Sequence, residues 1–269
     1  INVIEAIHKF GCKDNYLIIG QFNIQPNRIQ KIEKMLAEPM FRKHFKRIIH
    51  LPLYLSNKNF FRFLSYFLAY IKFFLLVVCS KNFDYCFFGV VTDIIVKPVA
   101  FLVQNRNPKS MLCVIDEGVR IIADSAERVK NKHMLTQKKT TCNRLLTGYF
   151  KAITKNWIYP SLTYFSIYEL SLLPQDNLIK NDFSFFRKNK ISSIKLEQNA
   201  IIIVGQPFVE LQIISKETYE KIILQITRMH IGCNIYYAPH PIETQFYNWL
   251  PQNIKILKSQ YPLELVLIS

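Results

Sequence analysis

Two short stretches hold the residues best suited to chemistry. Residues 111–123, MLCVIDEGVRIIA, run from an apolar segment into Asp116, Glu117 and Gly118. Residues 234–240, NIYYAPH, run from a second apolar segment into Pro239, His240 and then Pro241. Short apolar runs bounded by turn residues predict buried strands of a parallel sheet. Open α/β sheets bind ligands just outside the carboxyl ends of such strands. A carboxylate at one strand end and an imidazole at another could serve as general base and general acid.

Each feature also has a plain structural reading. Asp is a favoured helix N-cap, so Asp116 could simply start the helix that follows. A carboxylate pair could instead deprotonate a hydroxyl or bind a metal, but the chain has no DxD pair, which makes metal the weakest of these readings. His240 is held between two prolines, which stiffen the backbone and fix where the ring points. Near neutral pH such a ring can hold or donate a proton, which suits a phosphate leaving group. Gly205, Gln206 and Pro207 follow another apolar run, where glycine would let a loop approach a ligand or simply make a tight turn. Glu264 could bond a ribose hydroxyl pair, or be a solvated acid in a strand. The chain contains no GxGxxG, P-loop, GxSxG or HExxH pattern, so dinucleotide, kinase, hydrolase and zincin chemistries have no motif to stand on.

The elements that must position these residues alternate. Helices are predicted over residues 1–10, 28–36, 57–80, 93–104, 216–229 and 242–250. Strands are predicted over residues 16–22, 47–53, 84–91, 111–115, 163–170, 200–204, 234–237, 254–257 and 263–268. Residues 119–131 read as a loop with a short helix, and residues 134–156 include the helix-like LLTGYFKAI. Pro98 predicts a kink or a boundary. The apolar stretch 57–80 is interrupted by Arg62 and Lys72. Its charge-free runs fall short of the roughly 18 residues of a membrane span, so a buried helix is expected. Residues 171–198 are polar, carry the basic run 186–190, and read as a linker with one short strand at 194–196. Alternation of strand and helix argues for parallel α/β architecture. The expected organisation is a Rossmann-like domain over residues 1–175, a linker over 176–198, and a second Rossmann-like domain over 199–269 that is incomplete. The start at Ile1 and the strand-like end at Ser269 suggest a chain cut at both ends.

Composition narrows the function classes. The chain has 269 residues, half of them hydrophobic, and a formal net charge of +16. Such a chain can bury a large core, which argues against disorder. The charge reads either as a basic surface that keeps the protein soluble or as a match for an anionic substrate, an anionic membrane surface or nucleic acid, and charge alone does not choose. No zinc-finger spacing, RNA-binding signature or basic heptad segment supports nucleic acid. The six cysteines form no CxxC pair and sit mostly in apolar runs, the pattern of free thiols in a reducing compartment.

Asp116-Glu117-Gly118 in the first half and His240-Pro241 in the second resemble the D/E-D/E-G and HP motifs of the bacterial two-Rossmann-domain (GT-B) sialyltransferases, which include lipooligosaccharide sialyltransferases and capsule polysialyltransferases. Residues 1–10, INVIEAIHKF, and residues 201–210, IIIVGQPFVE, are also similar to that family. The resemblance implies an inverting, metal-independent transfer from CMP-sialic acid to a hydroxyl of a terminal galactoside or sialoside of a bacterial surface glycan, with no further cofactor. It implies that Asp116 is the general base, with Glu117 beside it, and that His240 stabilises the departing CMP phosphate, with Pro241 next to it. Glu264 would meet the cytidine ribose, and Gly205, Gln206 and Pro207 would lie at the nucleotide. The family's Ser/Thr pair for the donor phosphate has no clear match in this chain.

An isolated Asp titrates near 4 and is a weak base at neutral pH; burial beside Glu117 would raise it. The partners expected are the donor and a lipooligosaccharide or capsule acceptor, without nucleic acid. The expected place is the cytoplasm, with peripheral contact at the anionic inner face of the inner membrane, and a homo-oligomer is allowed. Two other readings stay open: a GT-B transferase of another CMP- or UDP-sugar, and a non-catalytic basic α/β protein that binds nucleic acid or anionic lipid.

Overall fold

The computed structural model describes residues 1–22, 26–53, 59–80, 82–89, 96–116, 118, 120–130, 148–150, 152, 154, 157–189, 196–240, 243, 250–257 and 263. The protein is α/β, and every strand pairing in its sheets is parallel. It divides into two compact units, Ile1–Phe185 and Phe186–Ser269.

The first unit runs α1 (Asn2–Lys9), β1 (Tyr16–Phe22), α2 (Pro26–Ala37), α3 (Pro39–Arg42), β2 (Arg47–Leu53), α4 (Asn59–Cys79), β3 (Tyr85–Phe88), α5 (Val96–Arg106), β4 (Met111–Ile115), α6 (Arg120–Lys130), β5 (Thr163–Ser166) and β6 (Asn177–Lys180). Strands β1 and β2 pair with each other, and the other four form a sheet in the order β3-β4-β5-β6. Strand β4 shows why the sheet is covered on both faces. Leu112 and Val114 point to one side and pack with Ala100 of α5 and Ile121 of α6. Cys113 and Ile115 point to the other and pack with Ala6 of α1 and Phe165 of β5. A strand buried on both faces has no polar alternation, which is the continuous apolar run seen in the sequence.

Helix α7 (Ser184–Asn189) leads into the second unit, which continues with β7 (Ala200–Val204), α8 (Lys216–Met229), β8 (Asn234–Ala238) and β9 (Ile254–Ile256). Its sheet has the order β7-β8-β9. The Ser215 hydroxyl accepts the Thr218 N–H at 3.2 Å and caps α8. Ile203, Ile223, Ile235, Tyr237 and Ile254 join α8 to the sheet.

Several expectations are corrected. The polar stretch after residue 171 holds β6, an edge strand paired with β5 through Thr163↔Asn177 to Ser166↔Lys180, and then α7. The strand expected over 163–170 stops at Ser166. There the next two amides turn to side chains: Ile167 donates to Asp116 Oδ2 and Tyr168 to Ser166 Oγ. Residues 120–130 are a full helix rather than a loop with a short one. Of the two readings of Pro98 the boundary holds: it lies in the first turn of α5, where its missing N–H would have no helical acceptor. Helix α4 is not a buried helix: Tyr66, Ala69, Tyr70 and Val77 are buried, but Leu64, Leu68, Ile71, Phe74, Leu75 and Val78 are exposed. Among the described residues no helix is long and apolar enough to cross a membrane. The helix expected at 242–250, the strand expected at 263–268, the short strand expected at 194–196 and most of 134–156 lie largely outside the described residues.

An ion pair holds the first unit together in a way the sequence does not signal. Arg128 of α6 donates through Nε to Asp176 Oδ2 at 2.7 Å and through Nη2 to Oδ1 at 2.9 Å, with both side chains 1% exposed. Asp176 Oδ1 also accepts the Leu162 N–H at 2.8 Å, and Arg128 Nη2 reaches the Tyr159 carbonyl at 3.3 Å. The fork of the guanidinium thus joins α6 to the segments entering β5 and β6.

Candidate functional site

Asp116 follows β4 directly, at the carboxyl end of the strand, with the neighbouring parallel strands β5 and β6 ending beside it. Parallel strands expose their last amides and carbonyls together at one edge, so groups from different strands converge there. Asp116 Oδ2 accepts the Ile167 N–H at 2.9 Å. Oδ1 is buried with no hydrogen-bond partner among the described residues, and the residue as a whole is 9% exposed. Gly118, two residues on, takes φ +69°, a left-handed conformation that glycine adopts at little cost and that turns the chain toward α6.

Three polar residues fix this edge. Asn2, at the start of α1, donates through Nδ2 to the Asp116 carbonyl at 2.9 Å. Asn181, just past β6, donates through Nδ2 to Asn2 Oδ1 at 3.1 Å, and its own N–H reaches the Ser166 carbonyl at 2.9 Å. Ser166 and Asn181 are both almost fully buried. The ends of β4, β5 and β6 are thereby tied to one another and to α1.

The environment shifts the Asp116 carboxyl upward. Burial is the main cause, because a charged carboxylate is poorly solvated there; the Ser166 hydroxyl and the Ile167 amide pull in the opposite direction. The direction agrees with the expectation from sequence, and its first cause is desolvation. Glu117 lies outside the described residues. The functional reading and the capping reading of Asp116 are distinguished in part by its partner, which is an amide of the neighbouring strand end.

The second unit has its own strand-end arrangement. Gly205 follows β7 and His240 lies two residues beyond β8, so both sit at the carboxyl edge of adjacent parallel strands. The Gly205 N–H reaches the Ala238 carbonyl at 2.8 Å, extending the pairing by one residue. A side chain at Gly205 would place its Cβ 2.5 Å from Glu243 Oε1 and 2.7 Å from the Tyr237 hydroxyl. Glycine is therefore required by close approach. The His240 carbonyl accepts the Glu243 N–H at 2.9 Å, closing a turn after β8.

Beneath this edge runs a chain of hydroxyls. The Gln206 N–H donates to the Tyr219 hydroxyl at 3.0 Å, the two tyrosine hydroxyls are 3.0 Å apart, and Tyr237 donates to Glu243 Oε2 at 2.9 Å. Tyr237 is fully buried, and burial, with its bonds to Tyr219 and Glu243, holds its hydroxyl protonated well above the ordinary range. The network ties α8, the turn after β7 and the turn after β8 into one support. Gln206 is exposed and Pro207 buried, so the turn presents the Gln206 side chain outward.

The structure thus gathers Gly205, Gln206, Pro207 and His240 at one sheet edge and sets Asp116 at a corresponding edge of the other unit. Pro241 and Glu264, like Glu117, fall outside the described residues. Sequence reading missed Asn2, Ser166 and Asn181 around Asp116, and Tyr219, Tyr237 and Glu243 below Gly205. The one available signal was position: Ser166 and Asn181 are polar residues at the ends of apolar or paired segments.

These features define an α/β protein of parallel, Rossmann-like sheets with polar groups at its strand ends. No family model matches the chain, and no curated protein is significantly similar to it.

Proposed function

We propose that the protein is a glycosyltransferase of the two-Rossmann-domain (GT-B) type that moves sialic acid from CMP-sialic acid to a hydroxyl of a terminal galactoside or sialoside of a bacterial surface glycan, with inversion and without a metal. The observation that carries the reading is Asp116: a buried carboxyl at the carboxyl end of a central parallel strand, shifted toward the pKa a base needs at neutral pH. In this reading Asp116 takes the proton of the acceptor hydroxyl as its oxygen bonds to the anomeric carbon of the sialic acid. The bond from that carbon to the CMP phosphate breaks, and His240 donates a hydrogen bond or proton to the departing phosphate. The transition state resembles an oxocarbenium ion, so positioning and charge stabilisation supply most of the acceleration.

Asp116 Oδ1 is enclosed, so the acceptor has to displace whatever covers it before giving up its proton. Gly205, Gln206 and Pro207 form the turn assigned to the nucleotide, and Glu264 is assigned to its ribose. The net charge of +16 favours a donor, a product and an acceptor that are all anionic. The same charge suits an enzyme working at the inner face of an anionic membrane.

The test is CMP release from CMP-sialic acid without added metal, in the presence of lactose or of a short oligosialic acid. Acceptor-dependent release is expected, lost in both Asp116→Asn and His240→Ala. CMP affinity measured by calorimetry should survive Asp116→Asn and fall in His240→Ala. No release with either acceptor and no CMP binding overturns the reading. Release from a UDP-sugar in its place would retain the transferase class and replace the donor.

A further inference from the structure

We propose that the exposed face of α4 is a docking surface for an anionic lipid bilayer. The observation is a stripe of large apolar side chains left in solvent. Leu64, Leu68, Ile71, Leu75 and Val78 recur at steps of four and three residues, and Phe74 adjoins them; all six are exposed, Leu68 and Leu75 by half. That spacing puts them on one side of a helix. From Leu64 to Val78 the stripe is about 21 Å long at 1.5 Å per residue. The opposite side of the same helix is occupied: Tyr66, Ala69 and Tyr70 pack with Leu51 of β2 and with Val99 and Leu102 of α5. Helix α4 therefore has two apolar sides, one packed into the core and one exposed among the described residues. Single exposed leucines are ordinary, whereas a contiguous apolar strip marks an interaction surface.

Charge selects the occupant. Helix α4 contains no Asp or Glu over its 21 residues. Lys72 is exposed and lies between Leu68 and Leu75 along the border of the stripe, where its stem can lie along the apolar surface and its ammonium can reach a headgroup. The protein as a whole carries +16. A second copy would bring the same positive charge to the same face, with no acid on α4 to meet Lys72. A bilayer containing anionic lipid supplies both an apolar layer for the leucines and negative headgroups for the border. The helix would lie in the plane of the interface, since its inner side stays packed on β2 and α5. The inference does not rest on the transferase reading, and its test measures lipid rather than turnover.

The experiment is flotation of the full chain with vesicles of phosphatidylglycerol and phosphatidylethanolamine, compared with vesicles of phosphatidylcholine alone, at low and high salt. The wild type is expected to float with the anionic vesicles, and less so at high salt. The double variant Leu68→Glu/Leu75→Glu should lose this partitioning by at least about tenfold, the effect of keeping even one leucine in water. Its unfolding midpoint should match that of the wild type, and the milder Leu75→Gln should show a smaller loss in the same direction. A wild type that stays out of the anionic vesicles overturns the proposal. So does equal flotation of wild type and double variant, which would place the lipid contact on another face. A dimer seen by sedimentation, abolished by the double variant and accompanied by no vesicle binding, would assign the stripe to a second copy. A large drop in unfolding midpoint in both variants would show that the chain itself covers the face, and would equally overturn it.

Discussion

The Asp116 carboxylate is held by the backbone of Ile167, whose N–H meets Oδ2 at 2.9 Å across the ends of two neighbouring parallel strands. The second oxygen is buried and unmatched, so the residue has one anchoring oxygen and one that no described neighbour satisfies. A wholly structural carboxylate would ordinarily have both oxygens engaged, because an unpaired buried acceptor costs about 1–3 kcal/mol.

This arrangement gives Asp116→Asn opposite effects on turnover and stability. In the folded protein the Asp116 carboxyl keeps its proton to higher pH than in the unfolded chain, because burial disfavours its charge. The folded state then binds more protons, so this group's contribution is fully present below its unfolded pKa of about 4 and is lost as pH rises through the folded value. Asparagine does not suffer that loss. The difference in unfolding midpoint, variant minus wild type, should therefore grow from acid to neutral pH. Turnover at neutral pH should fall by at least about a hundredfold, the usual scale for removing a general base. Thermal unfolding at several pH values, beside the CMP-release assay, checks both. A difference that shrinks toward neutral pH would mean that Asp116 is stabilised as the anion.

Arg128→Met should be severely destabilising. It leaves the Asp176 carboxylate buried, 1% exposed, with the Leu162 N–H as its remaining side-chain partner among the described residues. Removing one partner of a buried pair costs about 3–5 kcal/mol. The double variant Arg128→Met/Asp176→Asn should recover part of this loss, since asparagine keeps an acceptor for Leu162 and carries no charge. Urea unfolding of the two variants measures the difference; a double variant no better than the single would show that the arginine's packing, rather than the charge, is what matters.

Gly205→Ala should destabilise the second unit by about 1–3 kcal/mol, the scale of overpacking a filled site. The new methyl would fall 2.5 Å from Glu243 Oε1 and 2.7 Å from the Tyr237 hydroxyl, and Tyr237 is fully buried and cannot swing away. The Tyr219–Tyr237–Glu243 chain has to open for it. Calorimetry should then show CMP affinity reduced along with the unfolding midpoint. Unchanged midpoint and affinity would mean that the turn after β7 moves freely and is not tied to the tyrosines.

The sequence by itself determined the α/β class and most of its elements. Strands β4 and β8 are legible because a strand covered on both faces must be apolar throughout, strands β1, β2 and β7 because each is a mostly apolar run bounded by turn residues, and helices α1, α2 and α8 because one face of each must be apolar. It also put Asp116 and His240 at strand ends, since turn residues follow the apolar runs directly. The tertiary structure decided the rest. Strand β6 reads as linker because an edge strand with exposed Asn177 and Lys180 is held by backbone bonds to β5, which leave no hydrophobic signature. Helix α4 reads as buried because its composition is apolar all round, whereas which face meets a neighbour depends on what the fold sets beside it. The partners of Asp116 come from residues 51 positions later in the chain, and those of Asn2 from 114 and 179 positions away. No local pattern encodes such contacts, because they arise only when separate strands end at one edge.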